Sequence, residues 1–271
     1  MQRMIESAPQ MRPMRSFSRR RFDGMEVARF DHGGQSFAPH FHDEFVLSVN
    51  LNGHEKIKLD RQTLEAEKGA ITLYNPGQVQ SSHAISEEWE FLSLYLDPDL
   101  LPEAFDLSPD TVFGRPVLAH GDIADDLAVS ISRALDAAIS EAEAAEGLLQ
   151  VIDRLLVAAG AWPSRTKRQI HHPLQRVVER LCDLAPLPTL AELSAEVALT
   201  PVQLVRAFSR DYGLPPLTWA WNQRVNAARL RIARGEALAH VAADLGFADQ
   251  SHLTRRFKTL YGVPPGRWQR G

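Results

Sequence analysis

The sequence predicts a multidomain α and β protein: an antiparallel β-barrel followed by helices, then an all-α domain with two helix-turn-helix motifs joined by a long helix. Three observations predict this. Short alternating apolar runs fill the first third, a stretch of about fifteen residues occurs twice in the last third, and the charge changes sign between the two halves. A chain of 271 residues is long enough for two cores.

The barrel is predicted by evenly spaced short strands. Runs such as "MEVARF", "EFVLSVNL", "EKIKLD", "AITLY" and "EFLSLYL" are separated by "DHGG", "LNG", "EKG" and "NPG". Alternation with Gly, Asn and Asp turns is typical of antiparallel sandwiches and barrels. We assign residues 22–120 to the barrel, and the polar, Arg-rich residues 1–21 to a flexible arm.

Residues 121–162 are rich in Ala, Leu and Glu at helical spacing, which predicts two helices. Their apolar face is available to the barrel or to a second subunit, so we interpret them as a dimerisation segment of a homodimer. Residues 163–172 are bracketed by prolines and charged, which predicts a linker before a domain at 173–271.

The charge is divided unevenly along the chain. From Ser164 onward there are 16 Lys and Arg against 8 Asp and Glu, of chain totals of 30 and 34. The first 163 residues are therefore acidic and the remainder is basic. A basic domain suits a polyanion, because neutralising phosphates supplies most sequence-independent affinity for nucleic acid.

The repeated stretch reads "VQLVRAFSRDYGLPP" from Val202 and "SHLTRRFKTLYGVPP" from Ser251. In the first copy Thr189 with Glu192 predicts a capping box, and Thr200 caps a second helix that ends at Gly213. In the second copy Asp249 is the expected cap. Duplicated helix, turn and helix signals indicate an internal repeat.

A rotation of 100° per residue separates the two faces of each second helix. Leu204 and Phe208 point inward in the first copy, and Leu253 and Phe257 point inward in the second. The outer faces carry Val202, Gln203, Arg206, Ser209 and Arg210 in the first copy, and Ser251, His252, Arg255 and Lys258 in the second. Thr254 is a further candidate DNA contact of the second copy. Arg can pair in bidentate fashion with guanine, so these faces are candidate base readers.

A single long helix is predicted between the copies, from Pro216 to Gly235. Some 18 residues span about 27 Å, close to the ~34 Å between major grooves one turn apart. One chain could therefore present two reading helices to adjacent turns of one duplex.

Residues 173–271 resemble the DNA-binding domain of the AraC/XylS family of bacterial transcription regulators. The segments that carry the resemblance are "LAELSAEVALTPVQLVRAFSRDYGLPP", "RVNAARLRIARG" and "VAADLGFADQSHLTRRFKTLYGVPPGRW". The family pattern implies base contacts at Val202, Val205 and Arg206 in the first reading helix, and at Gln250, Ser251 and Arg255 in the second. It also implies promoter DNA as the partner, and RNA polymerase as a further partner if the protein is an activator.

Residues 22–115 are similar to the cupin-like sensor barrels that precede such domains, through "GQSFAPHFHDEFVLSVNLNG" and "GAITLYNPGQVQSSH". In metal-binding cupins, paired histidines, a carboxylate and a later histidine surround one metal. Here the later position is Gln80, and His83 faces the other side by alternation, so we expect no metal. The expected effector-binding residues are His40, His42, Glu44, Tyr74 and Gln80.

Three alternatives remain for the barrel: histidines that are only structural, a cupin metalloenzyme fused to a DNA-binding domain, or a site for a protein partner. No nucleophile and base arrangement or phosphate loop is apparent, so we expect neither an enzyme nor a cofactor. No apolar run approaches the ~20 residues of a membrane span, and we expect a cytoplasmic protein. The single cysteine, Cys182, lies in an apolar helical pattern that predicts burial.

Overall fold

The computed structural model describes residues 15–32, 36–60, 62–163, 172–183 and 186–271. In chain order the strands are β1 (Ser16–Phe22), β2 (Met25–His32), β3 (Ser36–His40), β4 (Phe45–Asn52), β5 (Glu55–Leu59), β6 (Gln62–Ala66), β7 (Ile71–Tyr74), β8 (Gln80–Ala84), β9 (Trp89–Leu96), β10 (Thr111–Phe113), β11 (Val117–Leu118) and β12 (Ala161–Pro163). The helices are α1 (Leu100–Phe105), α2 (Asp122–Ala134), α3 (Glu141–Ala158), α4 (His172–Cys182), α5 (Leu190–Glu196), α6 (Pro201–Tyr212), α7 (Pro216–Ala233), α8 (Leu238–Asp244), α9 (Gln250–Tyr261) and α10 (Pro265–Arg270).

The strands form two main antiparallel sheets, as the alternating pattern predicts. One has the order β1-β2-β9-β4-β7-β11 and the other has the order β3-β8-β5-β6, while β10 pairs with β12. The central strands β4 and β9 read as nearly continuous apolar runs because both of their faces are covered. Leu47 and Leu94 pack toward α2 and α3, whereas Val46 and Tyr95 face the barrel interior.

The flexible arm predicted at residues 1–21 is wrong for its last six residues. Ser16–Phe22 forms β1 and pairs with β2 along its whole length. The Arg-rich composition does not indicate a strand, but a strand is possible here because the charges are paired: Arg19 and Arg21 both contact Glu26. Phe17 stacks near Trp268, with ring centroids 5.3 Å apart, and Arg19 Nε donates to the Trp268 carbonyl. Residues 1–14 lie outside the described residues.

The two helices predicted in 121–162 are present as α2 and α3, but their apolar face is not offered to a second subunit. Leu127 and Ile131 of α2 and Leu148 and Ile152 of α3 are fully buried in one core with the larger sheet. The chain leaves α3 at Ala158 because Gly160 adopts a φ of +61° and turns it back as β12. This apolar face therefore covers the larger sheet.

The C-terminal domain has the helices and boundaries that the repeat predicts. Helix α5 has the Thr189–Glu192 capping box, and α6 has a second capping box between Thr200 and Gln203. Helix α9 begins after Asp249, whose side chain accepts from the His252 N–H at 2.6 Å. Both α6 and α9 end at a left-handed glycine, Gly213 or Gly262.

The predicted connecting helix is α7, which has 18 residues. Cys182, expected to be buried, is exposed because it is the last residue of α4. The linker is predicted at 163–172. Pro163 ends β12, His172 begins α4, and residues 164–171 lie outside the described residues. Among the helices that the structure describes, none is long and apolar enough to cross a bilayer.

Candidate DNA-binding surface and effector cavity

The first reading helix, α6, is held by a fully buried pair and exposes the opposite face. Leu204 and Phe208 have no exposed surface, as predicted, and pack in one core with α4, α5 and the start of α7. On the other side Val202 is 61% exposed. The side chains of Gln203, Arg206 and Arg210 are also exposed, and Val205 is half-buried.

Arg210 differs from the other exposed cations of α6. Its Nε donates to Asp211 at 2.7 Å and a second guanidinium nitrogen donates at 3.3 Å. This neighbouring carboxylate raises the pKa of Arg210 and partly neutralises its charge. Arg210 is therefore less available to a phosphate or a base than Arg206.

The second reading helix, α9, has the same organisation. Leu253 and Phe257 have no exposed surface, as predicted, and Thr254 is half-buried with its hydroxyl donating to the Gln250 carbonyl at 2.8 Å. The exposed face of this helix carries Gln250, Ser251, Arg255 and Lys258.

Helix α7 is more than a connector, because it packs its polar side chains into the barrel. Arg229 has no exposed surface, and it forms an ion pair with Glu26 at 2.6 Å and a second ion pair with Glu44. Both carboxylates belong to the barrel. They raise the pKa of Arg229 against the opposing effect of its burial, so the guanidinium stays charged.

Two asparagines of α7 complete this contact with the barrel. The Asn222 amide accepts from the Phe41 N–H at 3.1 Å and donates to the Phe41 carbonyl at 2.8 Å. Asn226 donates to the same carbonyl at 3.2 Å and accepts from the Tyr261 hydroxyl at 2.9 Å. We call this contact, made by Arg229, Asn222 and Asn226 with the barrel, the domain seam.

A cavity of about 50 Å³ lies between the two sheets and reaches the domain seam. It brings together four of the five predicted effector residues, His40, His42, Tyr74 and Gln80. Its far wall is formed by Leu260 and Tyr261, which belong to α9. Sequence reasoning missed these two, since nothing local links the end of a reading helix to a barrel interior.

Glu44 is the exception among the predicted residues. Strand β3 ends at His40 and β4 begins at Phe45, so the alternation that placed Glu44 beside the histidines does not continue through this connection. Its carboxylate pairs with Arg229 instead. His83, as expected, lies on the opposite face from Gln80, where it contacts Ser36.

The other cavity residues come mainly from β9 and β5. Trp89, Phe91, Ser93 and Tyr95 alternate along β9 and point inward, so this wall could have been found from the sequence. Glu55 of β5 is 3% exposed and also lines the cavity. Burial raises the pKa of Glu55 to about 7.

The histidine pair has defined proton positions. His40 Nδ1 lies 2.7 Å from the Ala38 carbonyl, which can only accept, so Nδ1 carries the proton. His40 Nε2 is therefore an acceptor, with His42 Nε2 at 3.2 Å and the more distant Gln80 amide nitrogen at 3.5 Å as donors. This leaves His42 Nδ1 as an acceptor that is buried and unpaired among the described residues.

Both histidines are neutral. Burial lowers the pKa of His40 to about 4 and that of His42 well below its ordinary value. In the described ranges no three His, Cys, Asp or Glu side chains converge in the way that a metal ion requires.

Comparison with known proteins agrees with this geometry. The AraC-like ligand binding domain family matches residues 24–152, and a helix-turn-helix domain family matches residues 193–271. The chain is 25% identical over 244 residues to the arabinose operon regulatory protein of Escherichia coli K12, covering 84% of this chain and 80% of the relative. It is 24% identical to the protein of the same name in Salmonella typhimurium, with 84% of each covered. An apo ToxT structure from Vibrio cholerae superposes with a TM-score of 0.60 at 15% identity, covering 92% of this chain and 97% of ToxT.

A helix-turn-helix domain that follows an AraC-like ligand-binding domain defines a DNA-binding transcription regulator, not an enzyme. The chain belongs to the AraC family of these regulators.

Proposed function

We propose that α6 and α9 read two successive major-groove faces of a promoter duplex, and that the cavity binds a small polar effector. Exposure of polar and basic side chains opposite the buried Leu204 and Phe208, and opposite Leu253 and Phe257, supports the first part. The base-reading and phosphate-binding set is Val202, Gln203, Val205, Arg206 and Arg210 on α6, and Gln250, Ser251, Thr254, Arg255 and Lys258 on α9.

Within this set the roles differ. Arg206 and Arg255 are exposed cations suited to guanine, whereas Val202 offers only an apolar contact with a thymine methyl. Lys258 suits a phosphate, which positions the protein without reading sequence, whereas Arg210 can contact a phosphate only by leaving Asp211.

The observation that carries the regulatory part is that Leu260 and Tyr261 of α9 line the same cavity as His40 and His42. A ligand there touches the second reading helix directly. The cavity holds only about three to five water molecules at its present volume. An effector larger than this shifts the α9 wall, because the opposing walls are hydrogen-bonded strands.

The effector acts only if it binds two arrangements of the domains with different affinity. One arrangement is the docked state with the domain seam formed, and the other has α9 moved away from the barrel. ToxT has been crystallised with a bound unsaturated fatty acid, which supports a small-molecule role for a barrel of this fold.

Assembly is a separate proposal. A homodimer built through α2 and α3 would use their outer surface, where Val129 and Val157 are 60% and 83% exposed. An activator would also contact RNA polymerase, and a regulator of genomic promoters acts in the cytoplasm. A sedimentation coefficient of a monomer at micromolar concentration would exclude the dimer.

The DNA-binding proposal is tested with duplexes selected from a random library by the wild-type protein. Arg206→Ala and Arg255→Ala should each weaken binding by about 1–3 kcal/mol and relax the base preference at particular positions. The control is Arg133→Ala, which removes an exposed arginine from α2. Wild-type affinity and base preference in either reading-helix variant would show that the assignment of that residue is wrong.

A further inference from the structure

The cavity has an unusual balance of hydrogen-bonding groups, and this balance specifies its ligand. The indole and phenol donors at its wall are engaged within the protein. Trp89 Nε1 donates to Asn50 at 3.0 Å and the Tyr261 hydroxyl donates to Asn226 at 2.9 Å. Tyr74 is hydrogen-bonded with Thr72 and Ser82.

Acceptors remain available at both ends of the cavity. At the domain seam, His42 Nδ1 is a buried acceptor without a partner among the described residues. At the other end, the Glu55 carboxylate receives hydrogen bonds from Asn50 at 3.3 Å and from Ser82. A carboxylate can accept about four hydrogen bonds, so Glu55 has capacity for further donors.

Aromatic rings surround the Glu55 end. Trp89 and Glu55 both bond to the Asn50 amide, which places the carboxylate beside the indole. Phe91 lies 4.6 Å from Trp89 and 4.8 Å from Phe30, measured between ring centroids. Aromatic faces next to a carboxylate attract an organic cation by cation–π and charge interactions together.

A buried anion would find no cationic partner here. Within the described part of the chain, the cavity lining contains no lysine or arginine, and its histidines are neutral. Arg229 lies behind Tyr95, 4.8 Å from the ring centroid, but it is already bound to Glu26 and Glu44. A buried carboxylate or phosphate would lack a cation and would lie close to the Glu55 carboxylate, which is strongly unfavourable.

From this balance we infer that the cavity binds a small amine that carries a second hydrogen-bond donor, and that it rejects carboxylates and phosphates. The ammonium group pairs with Glu55 between the aromatic rings, and the second donor bonds to His42 Nδ1. This inference rests on the proposed effector role of the cavity and names the chemical class of the effector.

The test uses three probes with one hydroxylated two-carbon skeleton: ethanolamine, neutral ethylene glycol and anionic glycolate. Each is titrated calorimetrically into the full chain at pH 8, where Glu55 is ionised. Ethanolamine should bind with a saturable isotherm below about 10 mM, a range that four non-hydrogen atoms can reach. Glycolate should bind at least tenfold more weakly than ethanolamine.

The matched variants are Glu55→Gln and Glu65→Gln, which make the same chemical change inside the cavity and on the exposed strand β6. Glu55→Gln should reduce ethanolamine affinity at least tenfold, while Glu65→Gln should leave it unchanged. Circular dichroism, together with affinity for the selected DNA duplex (the operator) in the absence of ligand, establishes that both variants are folded. Equal binding of glycolate and ethanolamine, no ethanolamine binding by the wild type, or full ethanolamine affinity in Glu55→Gln would each overturn the inference.

Affinity for the operator, measured with and without ethanolamine, distinguishes a failure of this inference from a failure of the proposed function. Ethanolamine binding to the cavity with no change in operator affinity supports the ligand class and contradicts the regulatory role. A change in operator affinity caused by arabinose or a fatty acid, but not by the amine, overturns the ligand class and supports the regulatory role.

Discussion

The two helix-turn-helix units repeat one sequence pattern but are embedded differently in the molecule. The first packs Leu204 and Phe208 into a core that is nearly confined to its own domain, with Phe41 and the partly buried Val79 as the barrel's contribution. The second packs Leu253 and Phe257 into a single core with the barrel residues Phe30 and Tyr95. Equivalent helices of the two units therefore have unequal access to the cavity: α9 is part of the cavity wall and α6 is not.

Breaking the domain seam should cause the largest loss of stability. Arg229→Ala leaves Glu26 and Glu44 buried without their cation, and we expect a loss of about 3–5 kcal/mol in the free energy of unfolding. Urea denaturation measures the change. Arg234→Ala, an exposed position one helix turn beyond, is the control and should change stability by less than about 0.5 kcal/mol. Equal effects at the two positions would mean that the seam contributes nothing.

The second largest effect is the dependence of stability on pH that Glu55 causes. Because folding raises its pKa from 4.5 to about 7, the folded state holds this proton more tightly than the unfolded state. The Glu55 contribution to stability is therefore complete below about pH 4.5 and is lost as pH rises to 7, by about 3 kcal/mol.

Glu55→Gln should flatten the dependence of stability on pH between 4.5 and 7, as measured by thermal unfolding at several pH values. Asp43, whose burial raises its pKa to about 6, titrates in the same range, so the informative quantity is the difference between wild type and variant. Relative to the wild type, this variant should gain more protection from hydrogen exchange at pH 7 in α9 than in α6, because α9 shares the barrel core. Equal gains in both helices would contradict the unequal embedding.

The third effect compares the tyrosines at equivalent positions, Tyr261 and Tyr212. Tyr261 is 2% exposed and its hydroxyl donates to Asn226, so Tyr261→Phe leaves a buried acceptor unpaired and should cost about 1–3 kcal/mol. Tyr212 is half-buried, and water can replace the interactions of its hydroxyl. Tyr212→Phe should therefore cost less in urea denaturation, and a reversed order would count against the comparison.

The smallest effect is expected where the two units are alike. Thr200→Ala and Asp249→Ala each remove a side-chain cap at the start of a reading helix, and each should reduce stability by about 1 kcal/mol. The caps act locally, so the two losses should be similar in spite of the different surroundings. A loss more than twofold larger at Asp249 would show that the α9 cap also supports the barrel contact.

The sequence was sufficient for features that depend on local chemistry. The caps at Thr200 and Asp249, the glycine ends at Gly213 and Gly262, and the inward pairs follow from propensity and helix periodicity. The cavity residues His40 and Gln80 follow from strand alternation combined with the family resemblance. In each case the residues that decide the structure are close together in the chain.

The sequence was insufficient where distant residues meet. Arg229 is separated from Glu44 by 185 positions, and nothing local indicates that this arginine of α7 is the one that pairs with the barrel. Without that partner Glu44 was assigned to the cavity. Asn222 and Asn226 could not be placed in the domain seam for the same reason, because they share a distant partner, the Phe41 carbonyl.

The first described strand and the last helix of the chain are neighbours. Phe17 and Arg19 of β1, which is part of the barrel sheet, contact Trp268 of α10, which belongs to the DNA-binding domain. Any motion that parts the domains must also pull these two ends away from each other. A donor and an acceptor fluorophore attached at Ser16 and Gly271 would therefore report the separation through energy transfer, with no need for labels near the DNA.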